Sequence, residues 1–517
     1  MKYDSYRGPG RILVYTLIAS SLLSGAACSK QEDEAVSAET KAPAAEEAPP
    51  SAVRITTSSD AALALYAEGD YLLDVGRNVQ ARDKFLAAIA EDPEFSLAYY
   101  GQSNAALSFA EFQQALDAAT KYSEGISDRE LMLIEINKSF LSNDNAAGLA
   151  LAQKLVEQFP EDGRSWLVLA GMQANQNDNI GARASNKKAL ELEGSEAGAL
   201  AGLAANNLFG EPKDFVAAEM WANKFISAYP DEAKGYEVLG DIKRAQNDLE
   251  GALQAYNTAS EMDPSLEAAA HKRGHVNSFL GNIEDARAAY DEAVAIAPVE
   301  SKAGYAVYKG FTYIHGGDVP AAISELEEIA DQVAAMGTPA DQVKGLQTFA
   351  LNSAAFAAMH VGLFERAESI VARRNELVMS IADDVGTEDA GRLQQANCEF
   401  WDGLLAAYTG DAESAATHVG AIEVLVESDD NPRKLEGAHW VAGVSALTAG
   451  DYAEAAEQLR QADHANNMFV RYHLAIAEEG LGNTDAARAL FAEVASFNFN
   501  SVAFALTRAD SAARAEL

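Results

Sequence analysis

AKGYEVLGDIKRAQNDLEGALQAYNTASEMDP (residues 233–264) and EAAAHKRGHVNSFLGNIEDARAAYDEAVAIAP (residues 267–298) decide the fold. In register, both carry Gly at place 8, Ala at 20, Tyr at 24, Ala at 27 and Pro at 32: Gly240 and Gly274, Ala252 and Ala286, Tyr256 and Tyr290, Ala259 and Ala293, Pro264 and Pro298. The second stretch starts 34 residues after the first. Residues 62–93 fill the same places with Gly69, Ala81, Phe85, Ala88 and Pro93. Small residues at places 8, 20 and 27 let two helices approach closely, and the ring at place 24 fills the space between them. Proline cannot continue a helix and sets the turn into the next unit. A second signal recurs between the two helices of a unit: Gly281-Asn282, Gly317-Asp318, Gly410-Asp411, Gly450-Asp451 and Gly482-Asn483. Gly takes the left-handed position that ends the first helix, and Asp or Asn caps the second.

Working outward, residues 163–194 fit the pattern, and weaker units begin near 303, 348, 396, 436 and 468. Degenerate units begin near 96, 129 and 197. The total is about twelve units over residues 60–500, and each needs neighbours to cover its apolar face. The spacing resembles the tetratricopeptide repeat, a helix–turn–helix unit. The resemblance implies an all-α, right-handed superhelical solenoid. Residues 58–330 are expected to form an amino-terminal repeat array. Residues 331–395, where the spacing lengthens, are expected to be an irregular helical connector. Residues 396–517 then form a carboxy-terminal array, with 501–514 as an end helix covering the last repeat.

In the tetratricopeptide family the first helix of each unit lines a concave groove. That resemblance puts places 2, 5, 9 and 12 on the groove: Lys234, Glu237, Asp241 and Arg244, then His271 and His275, then Phe400 and Leu404, Trp440 and Val444, Phe469 and Tyr472. Large aromatics in a groove are anchors for a peptide or helix. The competing reading is that these rings pack against the next repeat, as aromatics at helical spacing commonly do.

The amino terminus carries an address. Lys2, Arg7 and Arg11 precede the apolar run ILVYTLIASSLLSGAA (12–27), so residues 1–27 have the form of a secretory signal peptide. Gly25-Ala26-Ala27-Cys28 resembles a bacterial lipobox, which implies lipidation of Cys28 and membrane attachment through it. By the same resemblance, Ser29 points to the outer membrane, facing the periplasm. Residues 28–57 are acidic, Pro-containing and poor in large apolar side chains, and are expected to be a disordered tether.

Of 517 residues, 39 are Lys or Arg and 78 are Asp or Glu, a formal charge of −39. With no cationic cluster, nucleic acid is excluded as a partner class. Two cysteines, Cys28 and Cys398, can build neither a disulfide framework nor a Cys-based zinc site. His271 and His275 share a helix face, but Lys272-Arg273-Gly274 between them supply no Glu beside the first His. The pair is expected to line the groove and hold no metal. No nucleophile elbow, phosphate loop or dinucleotide fingerprint is present. The expectation is therefore a scaffold without cofactor or catalytic residue that binds a protein or peptide. The alternatives are a metal-dependent hydrolase hidden in 331–395 and a small-ligand binder using His271 and His275.

Overall fold

The computed structural model describes residues 55–142, 144–429 and 431–516. The signal segment 1–27, Cys28 and most of the tether lie outside the described residues. Thr56 and Thr57, assigned above to the tether, are held by the folded chain. Thr56 N and Oγ1 donate to Glu130 at 2.8 and 2.7 Å, and Thr57 Oγ1 donates to Asp92 at 2.7 Å.

The described residues form helices and no strand. They divide into two compact units, one of residues 55–106 and 113–214, the other of 215–516 with 107–112. The first holds α1 (Asp60–Asp74) and α2 (Asn78–Glu91), then α3 (Ser96–Asn104) and, from residue 113 on, α4 (Phe109–Lys121). Next come α5 (Asp128–Leu141) and α6 (Asn145–Gln158), then α7 (Gly163–Asn175) and α8 (Asn179–Leu190), ending with α9 (Glu196–Leu208). The second opens with α10 (Phe215–Ala228), then α11 (Lys234–Ala245) and α12 (Leu249–Met262), α13 (Glu267–Leu280) and α14 (Ile283–Ile296), α15 (Val299–His315) and α16 (Val319–Gln332). It continues with α17 (Ala340–His360) and α18 (Phe364–Val385), α19 (Glu388–Thr409) and α20 (Ala412–Leu425), α21 (Glu436–Thr448) and α22 (Tyr452–Gln461), α23 (Met468–Gly480) and α24 (Thr484–Ala495), and a last helix α25 (Val502–Ala515). In chain order these are twelve helix–turn–helix units and a closing helix, as the period requires.

The repeated places do what their sizes imply. A Cβ on Gly240 would stand 2.4 Å from the Tyr256 ring, on Gly274 2.8 Å from Tyr290, and on Gly69 2.6 Å from Phe85. Those three rings are fully buried. Gly240→Ala is therefore expected to destabilise the second unit by up to about 2 kcal/mol, since overpacking costs about 1–3 kcal/mol and the helix-propensity gain returns only about 1. Gly345 on α17 has nothing within 4 Å of its Cβ, so Gly345→Ala should stabilise. Denaturant midpoints of the two variants should move in opposite directions.

The turns follow the dipeptide signal with one chemical distinction. Gly317, Gly410 and Gly450 have φ of 83°, 81° and 79°. The aspartates after them accept from the backbone N–H of Ala321, Ser414 and Glu454. Asn177 and Asn247 take the left-handed place at φ 62° and 64°, ahead of Asp178 and Asp248, which cap in the same way. Asn282 and Asn483, also expected to cap, make no side-chain cap bond. A carboxylate is favoured at the positive end of the helix dipole, but a carboxamide caps where its rotamer allows, as Asn467 does by accepting from the N–H groups of Phe469 and Val470.

In the second unit each helix packs against its predecessor and successor, and the first helices of successive repeats also touch one another. Residues 331–395 continue this stack. Helices α17, α18 and α19 have 21, 22 and 22 residues, which accounts for the longer spacing. Ala354, Ile370 and Leu404 join one core that runs from Ala306 to Ala505. The division into units falls at 214/215 and not within 331–395, because the long helices keep the apolar faces that stack on both neighbours.

Candidate functional site

The expected groove residues of α11 and α13 form one polar cluster. Glu237, Asp241, Arg244, His271 and His275 are buried, and Lys234 is half-buried. Lys234 Nζ lies 2.8 Å from Glu237 Oε2. Lys272 Nζ lies 2.5 Å from Glu237 Oε1 and 2.6 Å from Asp241 Oδ2. Arg244 Nη2 and the Tyr256 hydroxyl both donate to Asp241 Oδ1, at 3.0 and 2.7 Å. Burial alone would raise both carboxyls. The ammoniums of Lys234 and Lys272 outweigh it at Glu237, and Lys272 with Arg244 outweighs it at Asp241, so both are held below their usual range. His271 and His275 stack edge-on at 4.1 Å between ring centroids. Burial, with Lys272 and Arg244 nearby, pushes His271 down to about 3. Burial and the His271 neighbour push His275 well below its usual value.

This face is covered from within the same unit. Helix α25 packs against α23 and α24, as an end helix should, and also against α15 and α17. The stretch before it, Phe497 to Ser501, is neither helix nor strand, with Asn498 in the left-handed region at φ 53°, and it reaches α11, α13 and α15. Arg244 Nη1 donates to the Asn498 carbonyl at 2.7 Å, and its guanidinium sits 4.4 Å over the Phe499 ring. Asn498 Nδ2 donates to Asn247 Oδ1 at 2.7 Å. Asn500 Nδ2 donates to the Tyr290 hydroxyl oxygen at 3.0 Å and approaches His275 Nδ1 at 3.1 Å. Its Oδ1 accepts from His315 Nε2 at 3.2 Å. Phe504 packs edge-on against Phe279 at 5.0 Å. Arg508 donates to the Phe279 carbonyl at 2.8 Å. The arrangement fixes this backbone turn by a carbonyl contact, a ring contact and two carboxamides.

The aromatic half of the expected groove is packed on itself. Leu404, Trp440, Val444, Phe469 and Tyr472 are buried, and Phe400 is half-buried. Phe356 of α17 lies 4.5 Å from Trp401, 5.7 Å from Trp440 and 5.0 Å from Phe469. Phe400 lies 5.2 Å from Trp440. The first helices stack closely enough that each ring meets the ring of the next repeat. Phe469→Ala is expected to cost about 3–5 kcal/mol, the usual loss for a fully buried ring. A shift in denaturant midpoint worth less than 1 kcal/mol would count against this packing.

A second polar cluster in the first unit was not singled out by sequence. Arg164 Nη1 binds Asp74 Oδ1 at 2.7 Å and Arg129 Nε binds Asp162 Oδ2 at 2.5 Å. Burial raises the Asp70 carboxyl despite Arg164 beside it. Tyr66 and Tyr100 are buried next to these charges. Tyr66 and Asp70 occupy places 5 and 9 of the unit at 62, and Arg164 occupies place 2 of the unit at 163. Applying the groove places to these repeats would have found them. No trio of His, Cys, Asp or Glu among the described residues is placed to hold a metal ion.

The tetratricopeptide repeat family matches residues 66–127, 233–266 and 268–300. These segments are tetratricopeptide repeats. No curated protein matches the chain significantly. Among solved structures, the chain is similar to the APC/C hetero-tetramer Cut9-Hcn1, at 15% identity and TM-score 0.41 over 89% of this chain and 78% of that one. It is similar to a double mutant of MamA RS-1, at 17% identity and TM-score 0.27 over 33% and 95%. It is also similar to a tetratricopeptide repeat protein from Parabacteroides merdae, at 17% identity and TM-score 0.33 over 51% and 92%.

Proposed function

We propose that the protein is an exported, lipid-anchored repeat scaffold that gathers protein partners at the bacterial cell envelope, on the periplasmic face of the outer membrane. The observation that carries partner binding is the inner face of the second unit. A row of stacked first helices there holds a non-helical chain segment by its backbone and side chains, the chemistry a scaffold uses on a protein. The location rests on the signal-like residues 1–27 and the lipobox-like segment ending at Cys28.

Two measurements test the proposal. Cys28→Ala is expected to move the chain from the membrane pellet to the soluble periplasmic fraction, and a variant that stays in the pellet rules out the lipid anchor. Cross-linking in intact cells, followed by purification of the chain, is expected to recover one or a few proteins in constant ratio to it. A chain recovered alone, carrying a stoichiometric transition metal, would instead select the hydrolase or ligand-binding alternative.

A further inference from the structure

We propose that the inner face of α11, α13 and α15 is a peptide-recognition site, and that residues 497–501 are its resident occupant. The trans ligand is a partner segment of the same chemistry: alternating aromatic and carboxamide side chains on a short segment that turns through a left-handed residue at the place of Asn498. The inference rests on the scaffold reading above and adds to it the chemistry of the partner and the reason the site is closed at rest.

The first argument is the pattern of the segment. Phe497-Asn498-Phe499-Asn500 alternates ring and carboxamide. Asn498 and Asn500 are buried, while Phe497 and Phe499 are half-buried and face each other at 5.3 Å. Within residues 497–501, every polar attachment to the inner face is made by these two asparagines, through their side chains or the Asn498 carbonyl, so the site reads a short linear motif.

The second argument is that the site is organised without its occupant. Arg244 is held by Asp241 and by the Tyr256 hydroxyl, 3.3 Å from its Nε. Asp241 is in turn held by Lys272. The Tyr290 hydroxyl lies 2.6 Å from His275 Nδ1. Removing the segment leaves these bonds in place and frees one Arg244 N–H and His315 Nε2 to water. A pre-organised site loses little affinity to ordering.

The third argument is that the segment is held separately from the helix that follows it. The buried residues of α25 are Ala503, Phe504, Ala505, Thr507 and Ser511. Phe504 is the one large side chain among them. The apolar attachment of the chain end lies in α25, where Ala503 and Ala505 join the main core, whereas residues 498–500 reach the inner face through one ring and hydrogen bonds that another carboxamide can replace, each with a modest net contribution of about 1 kcal/mol.

The test uses the full mature chain, its Asn498→Ala/Asn500→Ala variant, and a labelled synthetic peptide of residues 496–502. The variant is expected to bind the peptide at least tenfold more tightly than the unaltered chain, whose own segment competes. A peptide with both asparagines replaced by alanine should not bind. Absence of binding to either chain overturns the proposal. So does equal binding of both peptides, which would place the contact elsewhere. So does a concentration-dependent dimer of the unaltered chain in sedimentation, which would make a second copy the occupant.

Should the variant fail to fold, hydrogen exchange on the unaltered chain decides. Excess peptide is expected to speed exchange of amides 502–515 while α13 and α15 stay protected, and no change overturns the proposal. These outcomes need no cellular partner, so failure of the envelope cross-linking and failure of this inference are separable.

Discussion

Lowering the pH from 7 to 5 should strip roughly 4 kcal/mol from the second unit through His271 and His473 alone. Both are buried. Burial pushes each down to about 3, with Lys272 and Arg244 adding to it at His271 and His360 at His473. In the unfolded chain a histidine takes up its proton near 6.5. Between that value and about 3 the unfolded state therefore binds the proton and the folded state does not, so stability falls as pH falls. At pH 5 this amounts to about 2 kcal/mol per histidine. His275 and His315 are also lowered by burial and act in the same direction. Glu237 and Asp241 extend the loss below the ordinary carboxylate range, because their depressed folded values mean that protonation favours the unfolded chain. Against a total stability of about 5–15 kcal/mol, the loss is a large fraction of what holds the unit folded. Denaturant titrations at pH 7, 6 and 5 should show a falling midpoint, and His473→Gln should flatten the slope. A midpoint unchanged between pH 7 and 5 contradicts the neutral buried histidines.

Arg244→Ala is expected to cost about 3–5 kcal/mol, the usual loss when one partner of a buried ion pair is removed. Arg244 is 1% exposed, and it joins Asp241, Tyr256 and the Asn498 carbonyl. Its loss leaves Asp241 with Lys272 and the Tyr256 hydroxyl as donors, which places the effect near the lower end of the range. The same variant releases the backbone of residues 497–501, so amides 502–515 should exchange faster than in the unaltered chain. A loss below 1 kcal/mol with unchanged exchange would mean that the guanidinium neither holds the cluster nor the segment.

The helix pairs were legible because their determinants are local. Gly240 and Tyr256 are 16 residues apart, and the turn at Asn247-Asp248 lies between them. The repeat near 129 looked degenerate because it lacks the small-residue pattern, yet its helix α5 is fixed by a Ser127–Glu130 capping box. What fills the inner face was not legible. The period places Arg244 and His275 on it, but their partners Asn498 and Asn500 lie 254 and 225 residues away, and no spacing rule links such distances. The end helix was foreseen as a cover for the last repeat, and its second contact with α15 and α17 came only with the structure. Phe400, Trp440 and Phe469 carried two readings in sequence. Their mutual stacking follows from how closely the first helices approach, which depends on three-dimensional register and not on the residues singly.

The most direct test of partner recruitment through this face is position-specific photo-cross-linking in intact cells. The cross-linker replaces Lys234, half-buried beside Glu237 on α11, or Val424, which is 73% exposed on α20. A discrete adduct with another protein from position 234, absent from position 424, is the predicted result. Identical adducts from both positions, or none from position 234, would contradict the account.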